Sequence, residues 1–152
     1  MRFDRPSNRA VLVFTVALAS ACTGVDGGAV ELSWRLRPAS SALEDKFVDC
    51  DSNKPGTKPI AAIRLDWTVE QQTDHDQWSC SDSHGVTGFV LPVGHALFSI
   101  SPVCGDAAAN PASYIAPAVE QRDVILGDTV SLGAMEVVVQ VTDCSTQDCI
   151  CE

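Results

Sequence analysis

The sequence predicts an all-β protein: a single antiparallel β-sandwich of about seven strands, held by disulfides, that follows a cleaved signal peptide. Three observations favour this class. Several short segments alternate apolar and polar residues, eight prolines and ten glycines punctuate the chain, and no window shows the period of an amphipathic helix. A chain of 152 residues has room for one such domain.

The amino terminus has the regions of an export signal. Residues 1–9 are short and net basic, and residues 10–21 carry no charge over 12 positions. A membrane-spanning helix needs about 17–25 apolar residues, so this stretch is too short for a permanent anchor. Its length is typical of the central region of a secretory signal peptide, which predicts that residues 1–21 are removed.

Small residues then precede a cysteine, in the order Ala19-Ser20-Ala21-Cys22. This resembles the lipobox of bacterial lipoproteins, with Ala19 where leucine is usual. The resemblance implies cleavage before Cys22 and acylation of its thiol, so that membrane lipid is reached through the acyl groups. Thr23 follows, instead of the aspartate that retains related lipoproteins in the inner membrane, which implies the outer membrane. An ordinary secretory signal is the alternative.

Residues 22–29 are rich in glycine and predict a flexible tether, followed by the sandwich domain over residues 30–152. Two strands with clear alternation open the domain, because apolar residues at every second position share one face. The first predicted apolar face is Val30, Leu32, Trp34 and Leu36, and the second is Ile63, Leu65, Trp67 and Val69.

The next segments are assigned in the same way. Residues 71–77 are wholly polar and predict a solvated connection, and residues 86–91 predict a third strand. A tight turn at 92–94 leads into a fourth strand over 95–103, and residues 105–111 predict a loop. Later strands are expected within 114–126, interrupted at Pro117, and over 130–132 and 135–142. The predicted core residues here are Phe89, Ala96, Phe98, Ile100, Met135, Val137, Val139 and Val141.

Residues 89–94 read Phe-Val-Leu-Pro-Val-Gly and precede an alternating strand. This resembles a hairpin of prealbumin-like (transthyretin-like) sandwich domains, over about 20 residues of the chain. The resemblance implies that a Pro-Gly turn joins two strands that line the core. The tyrosine usual after the glycine is absent here, and Phe98 is the nearest aromatic residue.

The seven cysteines are an odd number, which is awkward in an oxidising compartment. Acylation of Cys22 leaves six for disulfides: Cys50, Cys80, Cys104, Cys144, Cys149 and Cys151. Six cysteines allow 15 pairings. From their positions in the chain we expect Cys80 with Cys104, Cys144 with Cys149 and Cys50 with Cys151, the last two pairs being exchangeable. A zinc site at Cys144, Cys149 and Cys151 is disfavoured by its spacing.

Two acidic segments resemble ligand-binding motifs only weakly. Asp49, Asp51 and Asn53 resemble the opening of a calcium loop, but Lys54 stands where glycine is required and Ile60 where the closing glutamate belongs. We therefore expect no metal or other cofactor. The second acidic segment is residues 74–82. An alternative function is a sugar- or calcium-binding module that uses both segments.

Catalytic motifs are weak. Asp74-His75-Asp76 and Asp82-Ser83-His84 place carboxylate, hydroxyl and imidazole groups close in sequence, but catalytic groups are assembled by the fold and not by adjacency. No G-x-S-x-G or H-E-x-x-H motif occurs. We predict no catalytic residues and no enzyme, with a secreted hydrolase as the second alternative. Trp78 is expected to pack on a disulfide or to stand exposed.

The net charge of the chain limits the classes of partner that it can bind. Residues 1–21 contain three arginines and one aspartate, so the remaining chain has seven basic and 19 acidic residues and a formal charge of −12. Such a surface repels phosphate backbones, which excludes nucleic acid as a natural partner. The sequence thus predicts a non-enzymatic structural or interaction module of the cell envelope, with an envelope protein or polysaccharide as its partner.

Overall fold

A computed structural model describes residues 25–39, 50, 60–105, 107–139 and 151. These residues form nine β-strands and two short 3-10 turns, at Cys80–Asp82 and Pro111–Ser113. The strands are β1 (Ala29–Pro38), β2 (Ala62–Val69), β3 (Gln72–Ser79), β4 (His84–Val86), β5 (Gly94–Cys104), β6 (Ala107–Ala108), β7 (Tyr114–Ile115), β8 (Glu120–Val124) and β9 (Thr129–Val139).

The strands form two sheets that pack face to face, which confirms the prediction of a β-sandwich. One sheet has the order β4-β1-β9-β7, and the other has the order β3-β2-β5-β6, with β8 also paired to β5. Strands β1 and β9 run parallel, so the first sheet is mixed and not purely antiparallel. Strand alternation alone does not reveal this pairing, because parallel and antiparallel neighbours bury the same face.

The core lies between the sheets and contains the apolar faces expected from alternation. Trp34 and Trp67 are buried, as predicted, and Phe98 is completely enclosed. Each large apolar side chain withdrawn from water contributes about 1.5–3 kcal/mol to stability. The buried residues that were predicted from the sequence are Val30, Leu32, Trp34, Leu36, Ile63, Leu65, Trp67, Val69, Ala96, Phe98, Ile100, Met135, Val137 and Val139.

Residues 71–77 are mostly exposed, as predicted, but they do not form a loop, because β3 begins at Gln72. This strand pairs with β2 along its whole length, across a two-residue turn at Glu70 and Gln71. Glu70 takes a positive φ of 54° to make the turn. Strand β3 lies at the sheet edge and its side chains are mostly exposed, so it has no apolar face for sequence patterning to detect.

The predicted strand over residues 86–91 and the hairpin after it are also wrong. Strand β4 ends at Val86, residues 89 and 90 form a turn, and Leu91 makes an isolated bridge to Gly28. Strand β4 pairs with β1, whereas β5 pairs with β2, so this segment passes from one sheet to the other. Phe89, predicted in the core, is exposed on the turn.

The last part of the chain follows the prediction more closely. Strands β7 and β8 lie on either side of the break at Pro117. The two strands expected over 130–132 and 135–142 are a single strand as far as Val139, β9, whose register against β1 shifts near Gly133. Residues 140–142, with the predicted core residue Val141, lie outside the described residues. Gly133 has a φ of 71° there, typical of a bulge. Within the predicted loop 105–111, β6 makes a short pairing with β5.

Trp78 packs between the edges of the two sheets. Its ring stacks on that of Trp34, with centroids 6.2 Å apart and an interplanar angle of 28°. The indole nitrogen of Trp34 donates a hydrogen bond of 3.0 Å to the carbonyl of Cys80. A Cβ atom added to Gly85 would lie 2.3 Å from the Trp78 ring, so glycine in β4 makes room for this stack.

We therefore expect Gly85→Ala to destabilise the protein by about 1–3 kcal/mol, because Trp78 must leave its position on Trp34 to relieve the clash. Urea denaturation followed by tryptophan fluorescence measures this change. Gly88→Ala is the matched control, since its new Cβ would meet nothing closer than 3.7 Å. Equal midpoints for the two variants would contradict the stacking role.

Candidate functional site

The two ends of the sandwich carry different features, and strand register defines them. At one end β1 and β9 begin, β8 finishes and β5 starts. We call this the tether end and define it as residues 25–28, 87–93 and 125–128. At the opposite end, Ala62 pairs with both Ser79 and Val103, so β3 and β5 finish there. We call it the disulfide end and define it as Cys50, Cys80, Cys104 and Cys151.

Cys22, the predicted lipidation site, lies outside the described residues. The glycine-rich stretch after it, predicted to be a tether over residues 22–29, is fixed where it enters the domain. Gly28 exchanges two backbone hydrogen bonds with Leu91, of 3.0 and 3.1 Å, and the Gly27 carbonyl accepts one from Gly127. A Cβ added to Gly27 would lie 2.2 Å from the Leu91 carbonyl oxygen, so only glycine allows this close approach.

Thr87, the residue after β4, stabilises the same point of entry into the domain. Its buried hydroxyl accepts a hydrogen bond of 2.9 Å from the Val30 N–H, and its own N–H donates to the Val30 carbonyl at 2.9 Å. Buried polar groups need such partners, because an unsatisfied one costs about 1–3 kcal/mol. The tether end is thus fixed by backbone and side-chain hydrogen bonds together.

At the disulfide end, Cys50 is bonded to Cys80 and Cys104 to Cys151. The Cα atoms are 5.5 and 5.3 Å apart, as disulfide geometry requires. Cys80 and Cys151 are also buried in the core, so both bridges pack as part of it. The bond to Cys104 also excludes Cys151 as a zinc ligand in this structure.

The predicted pairs Cys80–Cys104 and Cys50–Cys151 are therefore wrong. Cys80 and Cys104 do lie at the same end of the sandwich, as expected, but β2 lies between β3 and β5. Neighbouring strands are about 4.8 Å apart, so two intervals separate these cysteines by about 10 Å, beyond the reach of a disulfide. The error follows from the missed strand β3. Cys144 and Cys149 lie outside the described residues.

The three histidines occupy different strands: His75 lies on β3, His84 on β4 and His95 on β5, all exposed. The Nδ1 atom of His95 contacts the carboxylate of Asp123, and the ring of His75 lies 3.7 Å from Asp74. His84 borders a shallow depression of about 280 Å³ with Ser33 and Ser131. Among the described residues, no hydrogen bond joins the ring of His84 to a serine or a carboxylate.

The acidic segments do not assemble a metal site within the part of the chain that the structure covers. No group of three or more potential ligands from Asp, Glu, His and Cys comes together there. Asp76 accepts a hydrogen bond of 3.3 Å from the indole nitrogen of Trp67, so it has a structural role. The calcium-loop residues Asp49, Asp51 and Asn53 lie outside the described residues, and their ligation stays untested.

No helix among the described residues is long and apolar enough to cross a bilayer. No protein-family profile and no curated protein matches the chain. Among solved structures, the fold is similar to that of the shaft pilin SpaA from Lactobacillus rhamnosus GG, at 14% sequence identity and a TM-score of 0.38. That match covers 76% of this chain and 52% of the pilin chain, so the chain spans about half of the pilin's length.

The disulfide end gives a prediction about stability. Removing the Cys50–Cys80 bridge by a double substitution to alanine should cost about 3–4 kcal/mol, because a cross-link spanning 30 residues restricts the unfolded chain. Denaturation midpoints measure the loss. Reducing agent should lower the midpoint of the variant further, since the Cys104–Cys151 bridge remains. Non-reducing peptide mapping that recovers a Cys80–Cys104 link would contradict the observed pairing.

A second prediction concerns the tether end. Thr87→Val keeps the shape of the side chain but removes the acceptor for the Val30 N–H, and we expect a loss of about 1–3 kcal/mol. Thr68→Val is the matched control, because its hydroxyl bonds only to that of Thr73 on the exposed face. The two variants are compared by urea denaturation. A loss at Thr68 as large as that at Thr87 would refute the role of the buried hydrogen bond.

Proposed function

We propose that this chain is an exported lipoprotein, held at a membrane by acyl groups on Cys22, and that its sandwich domain is a non-enzymatic structural or interaction module of the cell envelope. The observation that carries the proposal is the pair of closed disulfides at the disulfide end. Disulfides persist in oxidising compartments and are rare in the cytosol. The bridges therefore support the export that residues 1–21 predict.

The number of cysteines supports the lipid anchor. Four of the seven cysteines are joined in the two bridges. Three remain: Cys22, Cys144 and Cys149. A free thiol in an oxidising compartment is reactive, so an odd remainder needs an explanation. Acylation of Cys22 supplies it, because Cys144 and Cys149 can then pair with each other.

The physical chemistry of acylation fits a stable attachment. Each buried methylene contributes about 0.8 kcal/mol, and a single acyl chain binds a bilayer only weakly. The diacylglyceryl group that the lipobox implies brings two chains, with a third possible on the new amino terminus. Thr23 in place of aspartate favours the outer membrane as the destination.

The domain suits a binding or structural role through its surface. Within the described ranges, β3 is an edge strand of eight residues with no partner on its outer side, and Asp74, His75 and Asp76 lie along it. Charges on an edge strand discourage pairing with other strands, which keeps an exposed domain from aggregating. The histidines lie apart on three strands, and this supports a role other than catalysis. We propose an envelope protein or a polysaccharide as the partner of this surface.

The anchor is tested by Cys22→Ser in the full chain, expressed in a bacterium that processes lipoproteins. We expect the substitution to abolish labelling by palmitate and to release the domain from the membrane fraction, because the thiol that carries the lipid is gone. Intact-mass spectrometry measures the acyl mass directly. Ser20→Ala is the control, since another small residue before the cysteine should leave processing unchanged. Membrane attachment that survives Cys22→Ser would overturn the proposal.

The destination is tested separately by Thr23→Asp. If the rule of related bacteria applies, this variant should be acylated normally but should move from the outer to the inner membrane fraction on a density gradient. Thr23→Ser should stay with the outer membrane. An unchanged distribution of Thr23→Asp would contradict sorting by this position, and it would leave the lipid anchor in place.

A further inference from the structure

We infer that the tether end is a membrane-docking surface, which rests its exposed apolar side chains on the neutral headgroup layer of the bilayer that holds the lipid anchor. The inference rests on the proposed acylation of Cys22. It goes further by assigning an orientation to the domain: the tether end faces the lipid, and the disulfide end points away from it.

The first observation is where the exposed apolar side chains lie. Among the described residues, ten large apolar side chains are exposed, and six of them belong to the tether end. Their exposed fractions lie between 43% and 69%. A cluster of such side chains on a soluble domain marks a surface that contacts another apolar phase. The six residues are Val25, Phe89, Val90, Val93, Ile125 and Leu126.

Backbone hydrogen bonds join the three segments that carry these residues. The three segments of the tether end converge on Gly27 and Gly28, which bond to Leu91 on one side and to Gly127 on the other. Each of the six apolar residues lies within two positions of one of these four. The cluster is therefore fixed by the fold and is present before any partner binds.

The second observation is the length of chain between this cluster and the lipid. Five residue steps separate Gly27, the first fixed residue, from Cys22, and an extended chain covers at most about 3.5 Å per step, or about 17 Å. The headgroup layer on each side of the bilayer is about 5–8 Å thick. Acylation of Cys22 thus places the tether end at the membrane surface, at a high effective concentration.

Charge identifies the kind of surface. The tether end contains no lysine or arginine, and its charged residues are Asp26 and Asp128, both exposed. The neighbouring turn adds Glu70, and Asp123, in contact with His95, lies on an adjacent strand. Anionic lipid attracts basic segments and repels carboxylates. The apolar side chains therefore contact neutral, zwitterionic headgroups, and anionic lipid weakens the contact.

The test places an environment-sensitive fluorophore on the full acylated protein through Val90→Cys. Ile115→Cys is the matched control: Ile115 is 54% exposed against 69% for Val90, but it pairs with Val138 near the opposite end of β9. In phosphatidylcholine vesicles we expect the emission from position 90 to shift to the blue and its quenching by aqueous iodide to fall. Position 115 should behave as in water.

Further arms make each outcome decisive. Phe89→Asp should reduce the shift at position 90, whereas Ile115→Asp should leave that shift unchanged. Phosphatidylglycerol in the vesicles should reduce the shift in a salt-dependent way. Identical spectra at positions 90 and 115 in an acylated protein would overturn the docking surface and leave the anchor standing. A shift without vesicles that grows with protein concentration would assign the surface to a second copy and overturn the inference. A protein mass without acyl groups would overturn both proposals.

Discussion

The two sheets can hide their apolar faces from water only against each other, and this constraint organises the rest of the molecule. Trp34, Trp67 and Phe98 supply the largest side chains of the shared core. Each sheet by itself would expose one apolar face, so neither is stable alone. Among the described residues, the connections between strands consequently lie at the ends and edges of the sandwich, where the candidate surfaces lie as well.

The two ends are built by different physical means. The disulfide end is closed by covalent bonds from Cys80 and Cys104 to residues distant in the chain. The tether end is closed by hydrogen bonds at Gly27, Gly28 and Thr87, where close backbone contact requires glycine. Parallel pairing of β1 with β9 brings the segments before both strands to the same end. The proposed anchor at Cys22 is therefore linked to a firmly paired strand.

Part of the disulfide end could be predicted from residue types, because Cys50, Cys80, Cys104 and Cys151 form disulfides as expected, although with other partners. The small residues before Cys22 and the odd cysteine count predict export and lipidation, and both stay predictions. The lack of a known motif around the histidines predicts no catalytic role, and this also stays a prediction. The cluster at the tether end could not be predicted. Phe89 was assigned to the core because its sequence context is apolar, and its exposure depends on the chain crossing between sheets at that point.

The sequence by itself determined the class of fold and the inward face of each long strand, because a period of two commits alternate residues such as Leu65 and Trp67 to one side. Only the tertiary structure decided which strands are neighbours. Strand β3 is a polar edge with no apolar period, and it is held by backbone pairing that any sequence can make. Because β3 was missed, the separation between Cys80 and Cys104 was missed as well. Disulfide pairing and the grouping of exposed residues depend on distances between strands of the sheet. Local sequence patterns carry no information about these distances.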